Sequence, residues 1–440
     1  MNKYIYNLKD TIFAPITSKF SGSVCVFRIS GNRACDILSN LSAKNITPNQ
    51  AIFSKLFYEN RKILDECVVT FFQFPKSFTG EDCIEVSLHG SEYIYNEFIK
   101  LLTKNFNFRF ASNGEFLYRA LVNQKIDILK AESIDALIKS CTEKQHKFAI
   151  RQGDDENRKI YQNWYQEFIS IYSLVESNID FSDQEIPEST MEQIKDGILK
   201  IKNEMSFMLG SKSQKKIFDG INIAILGLPN AGKSSLLNAL CKENIAIVSN
   251  TAGTTRDLIS TKIDIDGYLV NILDTAGIRK DSKDEIEIEG IRRAISAVKI
   301  ADIRIFVFEY GIINQELYDT YHQESDIIIA SKCDIKMEKN EKYIKVSTTK
   351  NLGIDELISA LKKSIEKILP NVNEDICISD RQKNILCKCF EVIQNLHNID
   401  EIECFAQDLR DIISYMGEIF GYTSIDDILG NIFSKFCIGK

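Results

Sequence analysis

The sequence has no long hydrophobic run and no excess of basic residues. No apolar stretch approaches the roughly 18 residues of a membrane-spanning helix, and the first residues carry no apolar signal-peptide core, so neither an anchor nor a leader is expected. Lysine and arginine number 54 against 62 aspartate and glutamate, a net charge of −8. A protein whose whole surface binds nucleic acid is basic, so any nucleic-acid contact here is local or shared with a partner.

Paired cysteine motifs are also missing. Twelve cysteines are scattered without a Cys-x-x-Cys pair, and only four histidines are present. The spacing matches no zinc motif, and even the closest pair, Cys387 and Cys389, does not indicate a metal site. Reduced thiols in a cytoplasmic protein are therefore expected.

The secondary-structure pattern that the sequence predicts changes three times along the 440 residues. Residues 1–119 mix strand and helix patterns, 120–215 read as helices, 216–371 alternate strands with helices, and 372–440 return to helices. This order predicts a multidomain fold: an α+β N-terminal domain, a discontinuous all-α domain, and an α/β domain inserted into it.

Short β-branched and aromatic segments predict the strands. They are residues 23–30, 67–74, 82–88 and 106–111 in the N-terminal domain, and 221–226, 303–308, 326–330 and 343–347 in the α/β domain. Residues 91–102 are expected to be helical. Asp266-Gly267 between two apolar segments predicts a type I′ hairpin, and so an antiparallel pair inside an otherwise parallel sheet.

The strongest motif begins at Gly227. Gly227-Leu-Pro-Asn-Ala-Gly232-Lys233-Ser234 matches the P-loop pattern G-x-x-x-x-G-K-[ST] between a predicted strand and a predicted helix. Backbone N–H groups and the helix N-terminus would hold phosphate. Lys233 would reach the β- and γ-phosphates, and Ser234 would bind Mg²⁺.

Three further segments lie in the order that a GTPase requires. Residues 251–257 (TAGTTRD) supply a threonine, Thr255, that can complete the Mg²⁺ shell only while a γ-phosphate is present, which makes the segment a switch. Asp274-Thr-Ala-Gly277 follows an apolar strand, where the Asp can hold the Mg²⁺ shell and the Gly N–H can meet the γ-phosphate. Ser331-Lys-Cys-Asp334 also follows a strand, and its carboxylate can accept the N1–H and exocyclic amine of guanine.

Adenine has no such donor pair, so the predicted nucleotide is GTP, and residues 347–349 could close the base pocket. The predicted GTP-binding residues are Asn230, Ala231, Gly232, Lys233, Ser234, Ser235, Ser249, Asn250, Thr251, Ala252, Gly253, Thr254, Thr255, Asp274, Thr275, Ala276, Gly277, Ser331, Lys332, Asp334 and Ser347.

These segments, together with the C-terminal FCIGK, resemble the MnmE (TrmE) family of tRNA modification GTPases. The inserted domain resembles a Ras-like G domain, and residues 77–90, 114–138 and 179–187 resemble family segments outside it. The resemblance implies an N-terminal tetrahydrofolate-binding domain that forms a homodimer. It also implies an MnmG (GidA)-type FAD protein as partner in a heterotetramer, which adds an aminomethyl-type group at C5 of the wobble uridine of certain tRNAs.

The resemblance also implies residue roles. Arg28, Glu85, Lys125 and Lys440 would bind folate, since a carboxylate suits the amidine-like pterin edge and basic side chains suit the glutamate tail. Considered alone, Arg28 and Lys125 read as solvated surface charges, and Glu85 could equally be structural. Cys437 would lie near the folate as a possible catalytic thiol, the alternative being a buried structural thiol.

For hydrolysis, the resemblance implies K⁺ in place of an arginine finger. Its ligands would be Asn230, Ser249, Thr251 and Thr254. Glu287 occupies the family position that orients the attacking water, although Glu285 and Glu289 are equally acidic neighbours. Lys233, Asn230 and Glu287 are therefore the expected catalytic residues.

One position departs from the family pattern. The base motif usually begins with Asn, and this chain has Ser331 there. We expect weaker GTP affinity with guanine specificity retained through Asp334.

The motifs leave other functions open. A ribosome-assembly GTPase of the Era or Der type shares the G motifs but would need a KH-like module or a second G domain, and the sequence contains neither pattern. A GTPase that acts only as a scaffold switch leaves the N-terminal segments unexplained. A P-loop kinase leaves the base motif and residues 251–257 unexplained.

Overall fold

The computed structural model describes most of the chain, in two compact units. The residues described are 6–18, 22–43, 45–180, 188–210, 214–228, 230–243, 246–247, 259–273, 298–310, 312–313, 315, 318–319, 322–323, 326–335, 343–369, 377–397, 401–421 and 439. One unit comprises Met1–Asp135, Arg158–Met191 and Glu391–Lys440, and the other comprises Ala136–Asn157 and Glu192–Phe390.

The first unit contains a six-stranded sheet of order β3-β4-β5-β2-β1-β6. Its strands are β1 (Ile12–Pro15), β2 (Val24–Ser30), β3 (Ala51–Phe57), β4 (Ile63–Phe72), β5 (Cys83–His89) and β6 (Arg109–Phe110). Neighbouring strands are antiparallel except β1 and β6, which are parallel.

Alternation along the strands explains the core of this sheet. Phe27 and Ile29 on β2 and Ile84 and Val86 on β5 are fully buried and point to one face, against which Phe98 packs. Four predicted strands are confirmed, although β4 begins four residues before its predicted start and extends only to Phe72. The strands β1 and β3 are additional to the prediction.

Helices occupy the segments predicted to be helical. They are α1 (Glu92–Lys100), α2 (Glu115–Val122), α3 (Ile128–Lys139), α4 (Glu143–Gln152), α5 (Asp155–Asp180), α6 (Glu188–Gly210), α7 (Gln214–Asp219), α8 (Lys233–Glu243), α9 (Ile354–Ile368), α10 (Asp380–Gln394) and α11 (Ile402–Phe420). Short 3₁₀ segments cover Ala34–Asn40 and Glu59–Arg61, and a π turn at Leu101–Asn105 follows α1. None of the described helices combines the length and apolarity needed to cross a membrane.

The second unit contains a seven-stranded sheet of order β13-β12-β11-β7-β10-β9-β8. Its strands are β7 (Ile221–Leu226), β8 (Ala246–Ile247), β9 (Ile259–Ile265), β10 (Tyr268–Leu273), β11 (Ile303–Glu309), β12 (Ile327–Ser331) and β13 (Ile344–Val346). The pairs from β13 to β10 are parallel, whereas β9 pairs antiparallel with both β10 and β8.

The predicted hairpin is confirmed at the β9–β10 turn. Asp266 and Gly267 have φ angles of 54° and 80°, both positive as a type I′ turn requires. The parallel strands β7, β12 and β13 end at one edge of the sheet, which is where loops of an open α/β sheet form ligand sites.

The observed elements confirm the predicted fold class, with an α+β N-terminal part, a helical part and an α/β part. The residue boundaries assigned to the three domains stay a prediction.

Candidate functional site

The P-loop follows the central strand β7, and its first residue must be glycine. A Cβ at Gly227 would lie 2.4 Å from the carbonyl oxygen of Val307 on the neighbouring strand β11. No side chain fits that gap, so the loop can leave the sheet edge only with glycine at this position. The close approach therefore sets where the loop begins.

The loop then curls into α8 through two residues with left-handed backbone. Asn230 has φ of 65° and Gly232 has φ of 96°, and α8 begins at Lys233. The Nζ of Lys233 donates to the carbonyl oxygens of Gly227 and Leu228 at 2.8 and 2.9 Å. The cation is thereby held over the loop that is predicted to hold phosphate.

Hydroxyl groups lie at the start of the same helix. Ser234 and Ser235 are exposed in the first turn of α8, and the side chain of Asn230 is exposed in the loop. These oxygen donors at a helix N-terminus fit the ligand preference of Mg²⁺ and of phosphate.

The predicted base-recognition segment lies at the end of β12. Ser331 is buried, and its Oγ donates to the carbonyl oxygen of Phe308 at 3.3 Å. Thr349 Oγ1 donates to Asp334 Oδ2 at 3.1 Å and lies 3.0 Å from Ser347 Oγ. The loop after β13 therefore orients the carboxylate that follows β12.

Hydrogen bonding also sets the charge of this carboxylate. Hydrogen bonds from Ser347 and, to a smaller extent, from Thr349 lower the pKa of Asp334 below its ordinary value. Beside it, Lys332 pairs with Glu309 at 2.7 Å, and this pairing raises the pKa of Lys332. Asp334 is thus kept ionised as an acceptor.

A cavity of about 190 Å³ joins the two ends of the site. Its lining residues are Gly232, Ser235, Leu236, Val307, Ile329, Ser331, Lys332, Asp334, Ile335, Val346, Thr348 and Thr349. Residues from the P-loop, the base motif and the loop after β13 therefore meet around one pocket.

Sequence reasoning named five of these lining residues as GTP-binding and missed the apolar walls. Leu236, Ile329 and Val346 carry no signal of their own, because buried apolar residues on α8 and on strands read as core. Ser347 does not line the cavity, although it supports Thr349.

Other predicted residues lie outside the described part of the chain. They are Ser249, Asn250, Thr251, Ala252, Gly253, Thr254, Thr255, Asp274, Thr275, Ala276, Gly277, Glu287, Cys437 and Lys440.

In the first unit, Arg28 and Glu85 form an ion pair. They oppose each other in the β2–β5 register, and Arg28 Nη2 lies 2.8 Å from Glu85 Oε1. The guanidinium lies 4.4 Å from the ring centroid of Phe78 and 5.6 Å from that of Phe116. Arg28 is thus a packed, partnered side chain and not a solvated surface charge.

Lys125 contacts the same loop, residues 73–82, that carries Phe78. Its Nζ donates to the carbonyl oxygen of Pro75 at 3.0 Å, and a Cβ at Gly80 would lie 3.0 Å from its Cγ. Asn123 adds a hydrogen bond to the carbonyl oxygen of Thr79 at 2.8 Å. The structure therefore places Arg28 and Lys125 against one loop, and Glu85 beside Arg28.

A buried arginine, which the sequence did not single out, holds the end of this loop. Arg119 is fully buried, with Nη1 3.0 Å from Glu81 Oε2 and Nη2 3.1 Å from Glu115 Oε1. Ser30 Oγ donates to the same Glu81 oxygen at 2.7 Å. This network ties the loop to β2 and α2.

Gly439, the penultimate residue, lies against the end of strand β1. A Cβ at Gly439 would lie 2.3 Å from the carbonyl oxygen of Pro15, and Pro15 pairs with Phe27, the residue before Arg28. This close approach, with φ of 98°, requires glycine in the C-terminal motif.

Comparisons with known proteins cover nearly the whole chain. A family model described as "GTP-binding protein TrmE N-terminus" matches residues 11–125, and one described as "MnmE helical domain" matches 128–437. A Rickettsia canadensis protein named "tRNA modification GTPase MnmE" is 36% identical over 98% of this chain and 100% of its own length. An Orientia tsutsugamushi protein of the same name is 38% identical over 98% of this chain and 99% of its own.

Solved structures give a shorter match. A crystal structure of Era in complex with MgGDPNP and a segment of 16S ribosomal RNA is 26% identical, with a TM-score of 0.26. It covers 32% of this chain and 55% of that chain.

Proposed function

Because the chain belongs to the MnmE family of tRNA modification GTPases, we propose that it hydrolyses GTP to support the modification of tRNA. The observation that carries the nucleotide assignment is the cavity shared by Gly232 of the P-loop and Asp334 of the base motif. One end offers the phosphate-binding loop, and the other offers an ionised acceptor that matches the two N–H donors of guanine.

Each part of GTP would be bound by a different group of residues. Asp334 would accept the guanine N1–H and amine, with Thr349 and Ser347 keeping its orientation. Lys233 would exchange its contacts with the loop carbonyls for the β- and γ-phosphate oxygens. Ser234, at the start of α8, together with Thr255 would hold Mg²⁺, which when bound neutralises charge on those oxygens.

For hydrolysis we propose that Asn230 of the P-loop supplies one ligand of a K⁺ ion, together with Ser249, Thr251 and Thr254. Its exposed amide in a left-handed backbone position supports this role. Such a cation supplies the positive charge that an arginine finger gives in other GTPases. Glu287 would orient the attacking water.

We further propose that the Arg28–Glu85 pair and Lys125 form a site for a tetrahydrofolate derivative, with Lys440 joining from the C-terminus. One oxygen of Glu85 takes both contacts from Arg28, so its second oxygen can meet the amidine-like edge of a pterin. The ring of Phe78 and the Lys125 ammonium suit the rest of a folate. Cys437 is proposed as a thiol near this site.

The net charge supports a role for a partner protein in tRNA binding. An acidic chain of −8 supplies little of the electrostatic attraction that tRNA binding needs, so we propose that an MnmG-type FAD protein supplies basic surface in a heterotetramer built on a homodimer of this chain. The modified position would be C5 of the wobble uridine of certain tRNAs, and the protein would act in the cytoplasm. The proposed domains are 1–119, 120–215 with 372–440, and 216–371.

Two experiments test this proposal. In the first, tRNA nucleosides from a deletion strain are compared with those from a strain complemented by the full chain, and the wobble uridines should lose their aminomethyl-type group only in the deletion. Unchanged wobble uridines would remove the tRNA assignment.

The second experiment compares GTP turnover by the full chain in KCl and in NaCl. We expect turnover to be at least about tenfold faster in KCl, because the cation stands in for an arginine finger. Asn230→Gly tolerates the left-handed backbone without the amide, so it should abolish the K⁺ advantage, and the rates are compared at saturating GTP. Equal rates in both salts for the natural chain would exclude the cation mechanism.

A further inference from the structure

A cluster of three metal-ligating side chains lies in the first unit and shares no residue with the proposed nucleotide and folate sites. His397, Glu401 and Cys404 offer ligand atoms that all lie within 4.8 Å of one another, and all three residues are exposed. The spacing His-x₃-Glu-x₂-Cys is not one of the spacings typical of zinc sites. The sequence alone therefore does not indicate this cluster, and only the folded structure shows it.

A fourth residue orients the histidine. Asp408 Oδ2 accepts the backbone N–H of His397 and also lies 2.8 Å from its Nδ1. Cys404 and Asp408, four residues apart, lie on one face of α11, and Glu401 is the residue that immediately precedes the helix. A ring whose Nδ1 is held by a carboxylate presents Nε2 as its remaining ligand atom, the usual arrangement around histidines that bind metals.

We propose that His397, Glu401 and Cys404 bind a divalent transition-metal ion of the Zn²⁺ class, with Asp408 as the positioning residue. A nitrogen, an oxygen and a sulfur donor together suit Zn²⁺ or Co²⁺, whereas Mg²⁺ and Ca²⁺ require oxygen donors. A thiolate and a carboxylate balance the charge of the ion, and the thiol proton passes to solvent on binding.

The geometry needs only side-chain movement. Metal–ligand distances of 2.0–2.3 Å in a tetrahedron place ligand atoms about 3.3–3.8 Å apart, against the 4.8 Å limit of the cluster. Exposed side chains can rotate by that amount without disturbing a core. Three protein ligands leave a fourth position for water, and the ion would tie His397 to the first turn of α11.

The test uses Co²⁺ alone as the probe, with the full chain freed of metal by a chelator under reducing conditions. Cobalt–thiolate coordination gives a near-ultraviolet charge-transfer absorption, and tetrahedral cobalt gives strong visible bands. We expect both signals to saturate at one ion per chain and to disappear when Zn²⁺ is added.

Variants assign the signal to these residues. Cys404→Ser should lose the charge-transfer absorption, whereas Cys141→Ser, at another exposed cysteine, should keep it. Asp408→Asn should weaken Co²⁺ affinity by about 10- to 100-fold, the range for outer carboxylate partners, while keeping the absorption at saturation. His397→Gln should weaken affinity further and alter the visible bands.

Two results would overturn the proposal. One is a natural chain that shows no charge-transfer absorption at saturating Co²⁺. The other is a Cys404→Ser variant whose absorption and affinity match those of Cys141→Ser. GTP turnover of Cys404→Ser should equal that of the natural chain, so this result is independent of the proposed GTPase function.

Discussion

Arg28 and Glu85 face each other across β2 and β5, and both Nε and Nη2 of the arginine contact the same carboxylate oxygen, at 2.9 and 2.8 Å. The pair is mostly buried, with 14% and 25% of the two side chains exposed. Because both contacts go to one carboxylate oxygen, the second oxygen of Glu85 can meet a ligand.

Exchanging the two residues separates structure from ligand binding. In the double variant Arg28→Glu with Glu85→Arg, the ion pair can re-form, so we expect thermal unfolding close to that of the natural chain. Affinity for a reduced folate should fall by about 10-fold or more, because a hydrogen bond to a charged group contributes about 1.5–3 kcal/mol. Calorimetric titration measures the affinity, and Glu85→Gln is the single-site comparison. Normal folate binding by the exchanged variant would contradict the assignment.

Changing Asp334 should change which base is recognised. The two carboxylate oxygens of Asp334 would accept the two N–H groups of guanine. Asp334→Asn replaces one of these oxygens with an NH₂ donor, so GTP affinity should fall by about 100-fold or more. Xanthine carries a carbonyl where guanine carries the amine, so the asparagine amide should bind xanthosine triphosphate better than the natural chain does. Competition against a fluorescent guanine nucleotide measures both. A variant that keeps its preference for GTP would exclude Asp334 as the base-recognising residue.

Ser331 should limit nucleotide affinity. Its hydroxyl contacts Phe308 within the sheet, and a Cβ at Gly232 would lie 3.8 Å from Ser331 Cβ, so a longer amide at this position can reach the P-loop. Ser331→Asn should therefore tighten GTP binding by about 2- to 12-fold, the value of one added hydrogen bond. Ser331→Ala, which shortens the side chain, serves as the control and should not tighten binding. Unchanged affinity in Ser331→Asn would refute this explanation.

Removing the buried arginine should destabilise the first unit. Arg119→Met removes one of the two cations that pair with the fully buried Glu115, which keeps Arg109, and it also removes the partner of Glu81. Because breaking a buried pair completely costs about 3–5 kcal/mol, we expect a loss near the lower end of that range. The matched control is Arg33→Met, whose ion pair with Asp36 is exposed and contributes about 0–1 kcal/mol. Urea unfolding of the full chain should separate the two variants. Equal loss of stability in both would show that the Arg119 network is not a main stabilising element.

Several elements were predictable because their signals are local. The P-loop, the β9–β10 hairpin and the parallel strands around β7 follow from glycine positions and from short apolar runs. Strand β1 escaped prediction because it has only four residues and ends at Pro15. Strand β3 escaped because it is an edge strand with Phe53 exposed and Leu56 buried, which gives no strong alternation.

The sequence by itself determined the family, the fold class and the order of the nucleotide motifs, since each depends on residues close together in the chain. The tertiary structure alone decided which distant groups touch. It paired Arg28 with Glu85, placed Lys125 on the loop at Pro75, and oriented Asp334 through Thr349. It also gathered His397, Glu401 and Cys404. Such contacts depend on strand register and helix packing, which no local pattern specifies.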